Sequence, residues 1–85
     1  MHYVYALYSK KQDKFYIGST EDLKERVHDH QSGKVHTTAR MKNPELAYHE
    51  ACISKRDALK RERQLKTGFG RGYLRRRLRD FLSGP

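Results

Sequence analysis

The sequence predicts a small α+β domain in which a three-stranded antiparallel sheet is flanked by three helices. Two aromatic and β-branched segments, YVYALYS at 3–9 and KFYIGS at 14–19, are typical of strands, and the polar KKQD between them predicts a hairpin turn. A third apolar segment at 46–52 and the helical patterns around it give the order ββαβαα. With 85 residues, the chain is expected to form a single domain, residues 1–85, around one small core.

The first helix and the loop after it are predicted from capping and breaking residues. Thr20 is followed by two acidic residues and is predicted to cap a helix that ends near Gly33, with Leu23 and Val27 on one face. Residues 32–45 lack periodicity and contain Gly, Asn and Pro, which predicts a basic surface loop.

The carboxyl-terminal part of the chain predicts two more helices. Ser54 is predicted to cap a helix that runs to about Lys66, where Gly68 and Gly70 are expected to stop it. Residues 73–82 then predict a last and strongly basic helix.

The charge of the chain indicates a polyanionic partner. Nineteen Lys and Arg oppose ten Asp and Glu, so the formal net charge is +9 and the pI is near 9.9. Eleven of the nineteen basic residues lie between Lys55 and Arg79, which would suit a phosphate backbone. A solvated helical face is the alternative interpretation of the same pattern.

Cysteine count and hydropathy restrict the class of protein. The lone Cys52 excludes an internal disulfide, and His and Cys pairs at ligand spacing are too rare to predict structural zinc. No signal peptide or long apolar run is recognised, so a protein without a membrane span, located in the cytoplasm, is expected.

The hairpin count predicts which tyrosines share a face. A four-residue turn puts Tyr5 opposite Gly18 and Leu7 opposite Tyr16, so the two tyrosines lie diagonally on one face. Gly18 is then expected to leave an opening beside the Tyr5 phenol, where a ligand or a backbone segment can come close. A five-residue turn would send the tyrosines to opposite faces.

Two features of the helices suggest phosphate chemistry. Arg26 and His30, spaced i, i+4, project from one side of the first helix and would aim a cation and an imidazole at one phosphate, although exposed surface is the alternative. Glu62 interrupts the apolar stripe of the next helix and needs a partner. That partner is either a cation, Lys66 or Arg26, or a bound divalent metal ion.

These residues carry a resemblance to a known family. The segments VYAL and FYIGS, followed by LKERVHDHQSGK and ELAYHEACISKRDALKRERQLK, resemble the GIY-YIG nuclease domain, such as that of the bacterial excision-repair endonuclease, across nearly the whole chain. Tyr3 stands where the first signature has its leading glycine, whereas the second signature, from Tyr16 to Gly18, is intact.

The resemblance implies a metal-dependent endonuclease that hydrolyses DNA phosphodiester bonds with low sequence specificity or with selectivity for structure. Tyr5 would activate or orient the attacking water and Tyr16 would support it. Arg26 would neutralise the scissile phosphate, His30 matches the partner that follows this arginine, and Glu62 would hold one Mg²⁺ or Mn²⁺. Tyrosine is a weak base at its usual pKa near 10, so Arg26 or the metal is expected to lower the pKa of Tyr5.

Other basic and polar residues are candidates for contacts with the nucleic-acid backbone: Lys34, Thr38, Arg40, Lys66, Arg71, Arg75 and Arg76. Glu50 is a second-choice carboxylate with a structural role expected. The alternative function is a non-catalytic module of the same fold that binds DNA or RNA, and a protein partner is a possible source of specificity.

Overall fold

The structure is a computed structural model that describes residues 1–84, and its centre is a three-stranded antiparallel sheet. The strands are β1 (His2–Ser9), β2 (Lys14–Thr20) and β3 (Glu45–Cys52), arranged β2-β1-β3. The central strand β1 is therefore paired on both sides, and β2 forms one edge of the sheet. The α+β class and the predicted order of strands and helices are confirmed.

Helices and one short turn complete the chain. Helix α1 (Leu23–Gln31) follows β2, and a 3₁₀ turn (His36–Thr38) lies in the loop that leads to β3. After β3 come α2 (Lys55–Leu65), α3 (Gly68–Arg77) and the short α4 (Arg79–Ser83). Among residues 1–84, no helix is both long enough and apolar enough to cross a membrane.

The hairpin has the predicted register. Ser9 pairs with Lys14, Leu7 with Tyr16 and Tyr5 with Gly18, so the turn comprises residues 10–13. Its last residue, Asp13, has a φ of 51°, a left-handed conformation that Asp tolerates better than most residues. The Tyr8 hydroxyl donates to Asp13 Oδ1 at 2.6 Å, which fixes the turn.

The core lies on one face of the sheet, between the strands and the helices α2 and α3. Because successive strand residues point to opposite faces, alternate positions of β1 and β2 turn toward these helices. The fully or nearly fully buried members of this cluster are Val4, Ala6, Ile17, Ala58, Leu65 and Leu74. The other face carries Tyr5 and is covered by His30 of α1.

Helix α1 begins later than predicted. Thr20 is the last residue of β2, and Asp22 is the N-cap, since its side chain accepts from the backbone N–H of Glu25 at 3.1 Å. The prediction of Thr20 as the cap was wrong because the acids after it supply a better-placed acceptor.

The glycines after α2 lie inside a helix and do not end one. Thr67 caps α3 by accepting from the Gly70 backbone N–H at 3.3 Å, and the helix includes Gly68 and Gly70. A β-carbon at Gly70 would collide with the backbone of Leu65. This close contact lets α3 follow α2 with only two residues between them, so the predicted helix at 73–82 is instead α3 and α4, which meet at Leu78.

The loop between α1 and β3 is held in place by hydrogen bonds to the hairpin. Ser9 Oγ donates to the Lys42 carbonyl oxygen at 2.5 Å, and the Lys42 backbone N–H donates to Gln12 Oε1 at 3.1 Å. Thr38, in the 3₁₀ turn of this loop, is only 3% exposed. The prediction of a purely surface loop was therefore wrong at Thr38.

Candidate active site

Tyr5 lies at the centre of the candidate site. It occupies the middle of the central strand, is 1% exposed, and its hydroxyl is 2.7 Å from His30 Nε2. Its ring lies over Gly18, where a β-carbon would be 2.5 Å from the Tyr5 hydroxyl. The expected opening beside Gly18 is thus filled by Tyr5 itself, and the glycine serves to admit the phenol.

His30 connects Tyr5 to the 3₁₀ turn. Its ring is buried, with Nε2 toward Tyr5 and Nδ1 2.6 Å from Thr38 Oγ1. Burial, helped by the positive charge of Arg26, lowers the pKa of His30 below its usual 6.5, and the charge of Asp29 opposes this only in part. His30 is therefore a neutral imidazole at pH 7, able to accept a proton.

Tyr16 lies next to both of these residues. Its ring centroid is 6.5 Å from that of Tyr5 and 5.0 Å from that of His30. The predicted diagonal placement of the two tyrosines on one face is confirmed by the hairpin register.

Arg26 and the Tyr5 phenol influence each other electrostatically. The Tyr5 hydroxyl is the largest influence on the pKa of Arg26, and it raises that pKa. Arg26 in turn favours the ionised form of Tyr5 and therefore acts to lower the pKa of Tyr5. Burial of Tyr5 is stronger, however, and with the charges of Tyr16 and Glu62 it raises the pKa of Tyr5 above 10.0. Arg26 lowers this pKa as expected, but desolvation of the phenol outweighs its effect.

Glu62 reaches the other side of the edge strand. It accepts from Ser19 Oγ at 2.7 Å and pairs with Lys66 Nζ at 2.9 Å. Ser19 follows Gly18 in β2, and its side chain points to the opposite face of the sheet. Tyr5 therefore contacts Gly18 on one face, and Glu62 contacts the next residue, Ser19, on the other. Of the two cationic partners considered, Lys66 is the one observed.

The pair formed by Glu62 and Lys66 is partly open to solvent. The Glu62 side chain is 17% exposed and the Lys66 side chain 53% exposed. Burial would raise the pKa of Glu62, but the bonds from Lys66 and Ser19 outweigh it and keep this pKa below 4.5. Glu62 is thus an ionised carboxylate whose counter-ion, Lys66, is half-exposed.

Glu50 has a structural environment, as expected. Both of its carboxylate oxygens accept from Arg61 at 2.9–3.0 Å, and Oε2 also accepts from the Tyr48 hydroxyl at 2.7 Å. The Arg61 guanidinium stacks on the Tyr73 ring at 5.0 Å. These contacts tie β3 to α2 and α3.

Two clefts border Tyr16 and contain basic residues. One, of about 220 Å³, includes Lys14 and Arg40, and the other, of about 230 Å³, includes Lys66 and Arg71. Phe15 and Tyr16 line both clefts, so cations lie on either side of the edge strand.

The other candidate backbone contacts have varied positions. Lys34 and Arg76 are exposed. Arg75 is paired with Asp13 at 3.2 Å and stacks on Phe15 at 5.6 Å. Thr38 lines the first cleft, but its Oγ1 lies 2.6 Å from His30 Nδ1.

Two contacts of the site were missed from the sequence. The hydrogen bond from Ser19 to Glu62 was predictable, because side chains alternate along a strand and the residue after Gly18 therefore faces α2. The hydrogen bond between Thr38 and His30 was not predictable, since it depends on how an irregular loop folds back on α1.

The residues around Glu62 fit a hydrated hard cation. Within residues 1–84, no group of three or more His, Cys, Asp or Glu side chains is placed to hold a metal ion. Mg²⁺ commonly keeps several waters and binds through one or two carboxylates plus substrate phosphates, and an ionised, partly exposed Glu62 meets that requirement.

The fold and this constellation define a small nuclease-type domain, and comparison with protein families agrees. The model of the GIY-YIG catalytic domain matches residues 1–75. The chain belongs to the GIY-YIG family, whose nucleases generally depend on a divalent metal ion.

Within the family, the chain is similar to a set of small bacterial proteins. A UPF0213 protein of Bacillus pumilus is 40% identical over 67 residues, which are 78% of this chain and 67% of the relative. A UPF0213 protein of Limosilactobacillus reuteri is 38% identical over 76% of this chain and 70% of its own length. One of Staphylococcus epidermidis is 36% identical over 78% and 80%, respectively. No solved structure matches the chain significantly.

Proposed function

We propose that the protein is a metal-dependent endonuclease that hydrolyses phosphodiester bonds in DNA. The observation that carries this proposal is the buried phenol of Tyr5, hydrogen-bonded to a neutral His30 and flanked by Arg26, in a chain of the GIY-YIG family. A phenol, an imidazole and a fixed cation together supply a route for a proton and a charge for a phosphate.

In the proposed mechanism, water attacks the scissile phosphorus while Tyr5 and His30 take its proton. The water proton passes to the Tyr5 hydroxyl oxygen as the phenol proton passes to His30 Nε2, 2.7 Å away. The new oxygen–phosphorus bond forms, the bond to the leaving oxygen breaks, and that oxygen takes a proton from solvent. Arg26 stabilises the negative charge that grows on the phosphate.

Glu62 is the residue that would hold Mg²⁺ or Mn²⁺. An ion held there would supply positive charge that stabilises the negative charge developing during phosphodiester cleavage. Lys66 would then give up its ion pair with Glu62, which costs little because the Lys66 side chain is half-exposed. Ser19 keeps the Glu62 carboxylate oriented through its hydroxyl.

The nucleic acid would lie across the edge strand, on the cations of the two clefts around Tyr16. Arg40 is on one side, and Lys66 and Arg71 are on the other, with Lys34, Arg75 and Arg76 farther out. These residues suit phosphate contacts, which position a substrate without reading its sequence. The enzyme is therefore expected to select substrates by structure, or to take sequence preference from a protein partner.

The test is nicking of duplex, branched and single-stranded DNA with Mg²⁺ or Mn²⁺. The wild type is expected to cleave, Glu62→Gln to lose at least about 10²-fold in kcat, and the exposed control Glu45→Gln to keep its activity. Chelation of the metal should stop cleavage. Equal rates in the wild type and in Glu62→Gln would overturn the enzymatic proposal.

The net charge of +9 favours a second candidate, a non-catalytic module that binds DNA or RNA. Such a module would bind in a salt-sensitive manner, and binding would survive both metal removal and Glu62→Gln. Competition between RNA and DNA of the same length would identify the preferred nucleic acid.

A further inference from the structure

We propose that Thr38 is a positioning residue which holds His30 in the tautomer with its proton on Nδ1, so that Nε2 faces the Tyr5 hydroxyl as a proton acceptor. The role that this gives Thr38 in catalysis rests on the nuclease function proposed above. The position of the imidazole proton can be measured whether or not the protein cleaves DNA.

The direction of the hydrogen bonds follows from the groups at the two ends. At one end, Thr38 Oγ1 lies 2.6 Å from His30 Nδ1 and 3.5 Å from the Val35 carbonyl oxygen. A carbonyl oxygen only accepts, so Val35 offers the Thr38 hydroxyl hydrogen an acceptor, and Thr38 Oγ1 can then accept from His30 Nδ1–H.

At the other end, the Tyr5 hydroxyl gives the same direction. In residues 1–84 this hydroxyl has one hydrogen-bond partner, His30 Nε2 at 2.7 Å, and its hydrogen needs an acceptor. The phenolic hydrogen therefore points to Nε2, which then carries no proton. In the opposite tautomer, His30 would donate to Tyr5, and the buried phenolic hydrogen would have no acceptor.

The two ends agree, and all polar atoms of this chain of contacts are satisfied. In residues 1–84, no buried side-chain nitrogen or oxygen lacks a hydrogen-bond partner. In the opposite tautomer the Thr38 hydroxyl would donate to Nδ1 in place of Val35, so the loss of stability would lie at Tyr5, whose buried phenolic hydrogen would have no acceptor.

The consequence for catalysis is that the acceptor nitrogen faces the correct side before substrate binds. When the phenol proton moves to Nε2, the imidazolium formed keeps its Nδ1–H bond to Thr38. The titratable and charged groups that face this ring are Tyr5 of β1, Tyr16 of β2, and Arg26 and Asp29 of α1. A phosphate bound at Arg26 would offset the charge that opposes the imidazolium.

The first experiment measures the tautomer directly, by ¹⁵N nuclear magnetic resonance of the uniformly labelled protein at pH 7.5. The five histidines are distinguished by comparison with His30→Gln. The wild type is expected to show His30 with its proton on Nδ1, Thr38→Ser to show the same, and Thr38→Val to show a mixture or the opposite tautomer. A wild-type proton on Nε2 overturns the proposal, even if no Thr38 variant folds.

The second experiment measures cleavage by the same variants. Thr38→Val is expected to lose about 10-fold or more in kcat with little change in KM, and Thr38→Ser to restore it, because serine keeps the acceptor oxygen. Circular dichroism verifies that each variant is folded. If Thr38→Val retains both the wild-type tautomer and the wild-type kcat, the proposal is wrong. If the wild type cleaves nothing, the nuclease function fails while the tautomer measurement still decides the role of Thr38.

Discussion

The Tyr5 phenol occupies the position that a β-carbon at Gly18 would need. Such a carbon would lie 2.5 Å from the hydroxyl oxygen and 2.7 Å from Cζ of Tyr5. Since Tyr5 is also held by His30, its ring cannot move without breaking that hydrogen bond. The glycine of the second signature is thus required by the tyrosine of the first.

Gly18→Ala is therefore expected to damage stability and catalysis together. Overpacking of this kind costs about 1–3 kcal/mol, and the displaced phenol would lose its contact with His30. Gly68→Ala is the matched control, because a β-carbon there meets nothing within 4 Å and should stabilise the protein by about 0.4–1 kcal/mol. Urea unfolding and nicking assays measure both effects; wild-type stability in Gly18→Ala would show that the ring has room to move.

Gly70→Ala is expected to destabilise the packing of α3 on α2. A β-carbon at Gly70 would approach the backbone of Leu65 to less than 3.0 Å, and backbone atoms cannot rotate away as a side chain can. Gly72→Ala, two residues later in the same helix, meets only the flexible Arg76 Nη1 at 3.3 Å. We expect a loss of at least about 2 kcal/mol for Gly70→Ala and less than about 1 kcal/mol for Gly72→Ala. Thermal unfolding of the two variants tests this difference.

The ion pair between Glu50 and Arg61 is expected to make stability depend on pH at the acid end. Burial would raise the pKa of Glu50, but the bonds from Arg61 and Tyr48 outweigh it and hold the folded-state pKa below the usual 4.5. The contribution of the pair is thus complete above pH 4.5 and is lost as the pH falls through the lower folded-state value.

Glu50→Gln should consequently lower stability by about 1–2 kcal/mol at pH 7 and by less near pH 3. The melting temperatures of the variant and the wild type should converge as the pH falls. Parallel curves between pH 7 and pH 3 would show that another group governs acid unfolding.

Cleavage should reach a plateau at mildly acidic pH. Burial raises the pKa of Tyr5 and lowers that of His30, so the reactive form has a neutral phenol and a neutral imidazole. We expect kcat at saturating metal to fall only below the lowered pKa of His30, which is under 6.5, and to be flat from there toward pH 9. A tenfold rise per pH unit across pH 7 to 9 would instead indicate that Tyr5 must first lose its proton to solvent.

Binding of duplex DNA should depend on Arg71 more than on Arg75. Arg71 lines the cleft beside Tyr16, whereas Arg75 is already paired with Asp13. We expect Arg71→Ala to reduce the slope of log Kd against log salt by about 0.9, the value for one phosphate contact, and Arg75→Ala to reduce it less. Fluorescence anisotropy at several salt concentrations measures both slopes, and equal reductions would contradict this order.

Short-range sequence patterns were sufficient to predict the sheet and the diagonal placement of Tyr5 and Tyr16. The turn length alone determined the hairpin register, and the register placed Tyr5 opposite Gly18 and diagonal to Tyr16. Glu62 was identifiable because a charge within an apolar stripe needs a partner, and Lys66, one turn away, is that partner.

The errors came from contacts between distant parts of the chain. Gly70 was predicted to end a helix, but its missing side chain is needed where α3 meets Leu65. Thr38 was predicted on the surface, yet a loop with no periodicity folds back and buries it against His30. The lowering of the Tyr5 pKa by Arg26 was predicted correctly, but the larger rise caused by burial was not, because the burial of the strand cannot be judged from the sequence.

Helix α4 packs against the hairpin formed by β1 and β2. Phe81, beyond the part matched by the family model, packs on Tyr8 at a centroid distance of 5.7 Å, and the Lys10 ammonium lies 5.5 Å from the Phe81 ring. Phe81 of α4 therefore connects this helix to both the strand residue Tyr8 and the turn residue Lys10, so loss of the Phe81 ring would loosen the hairpin at both places.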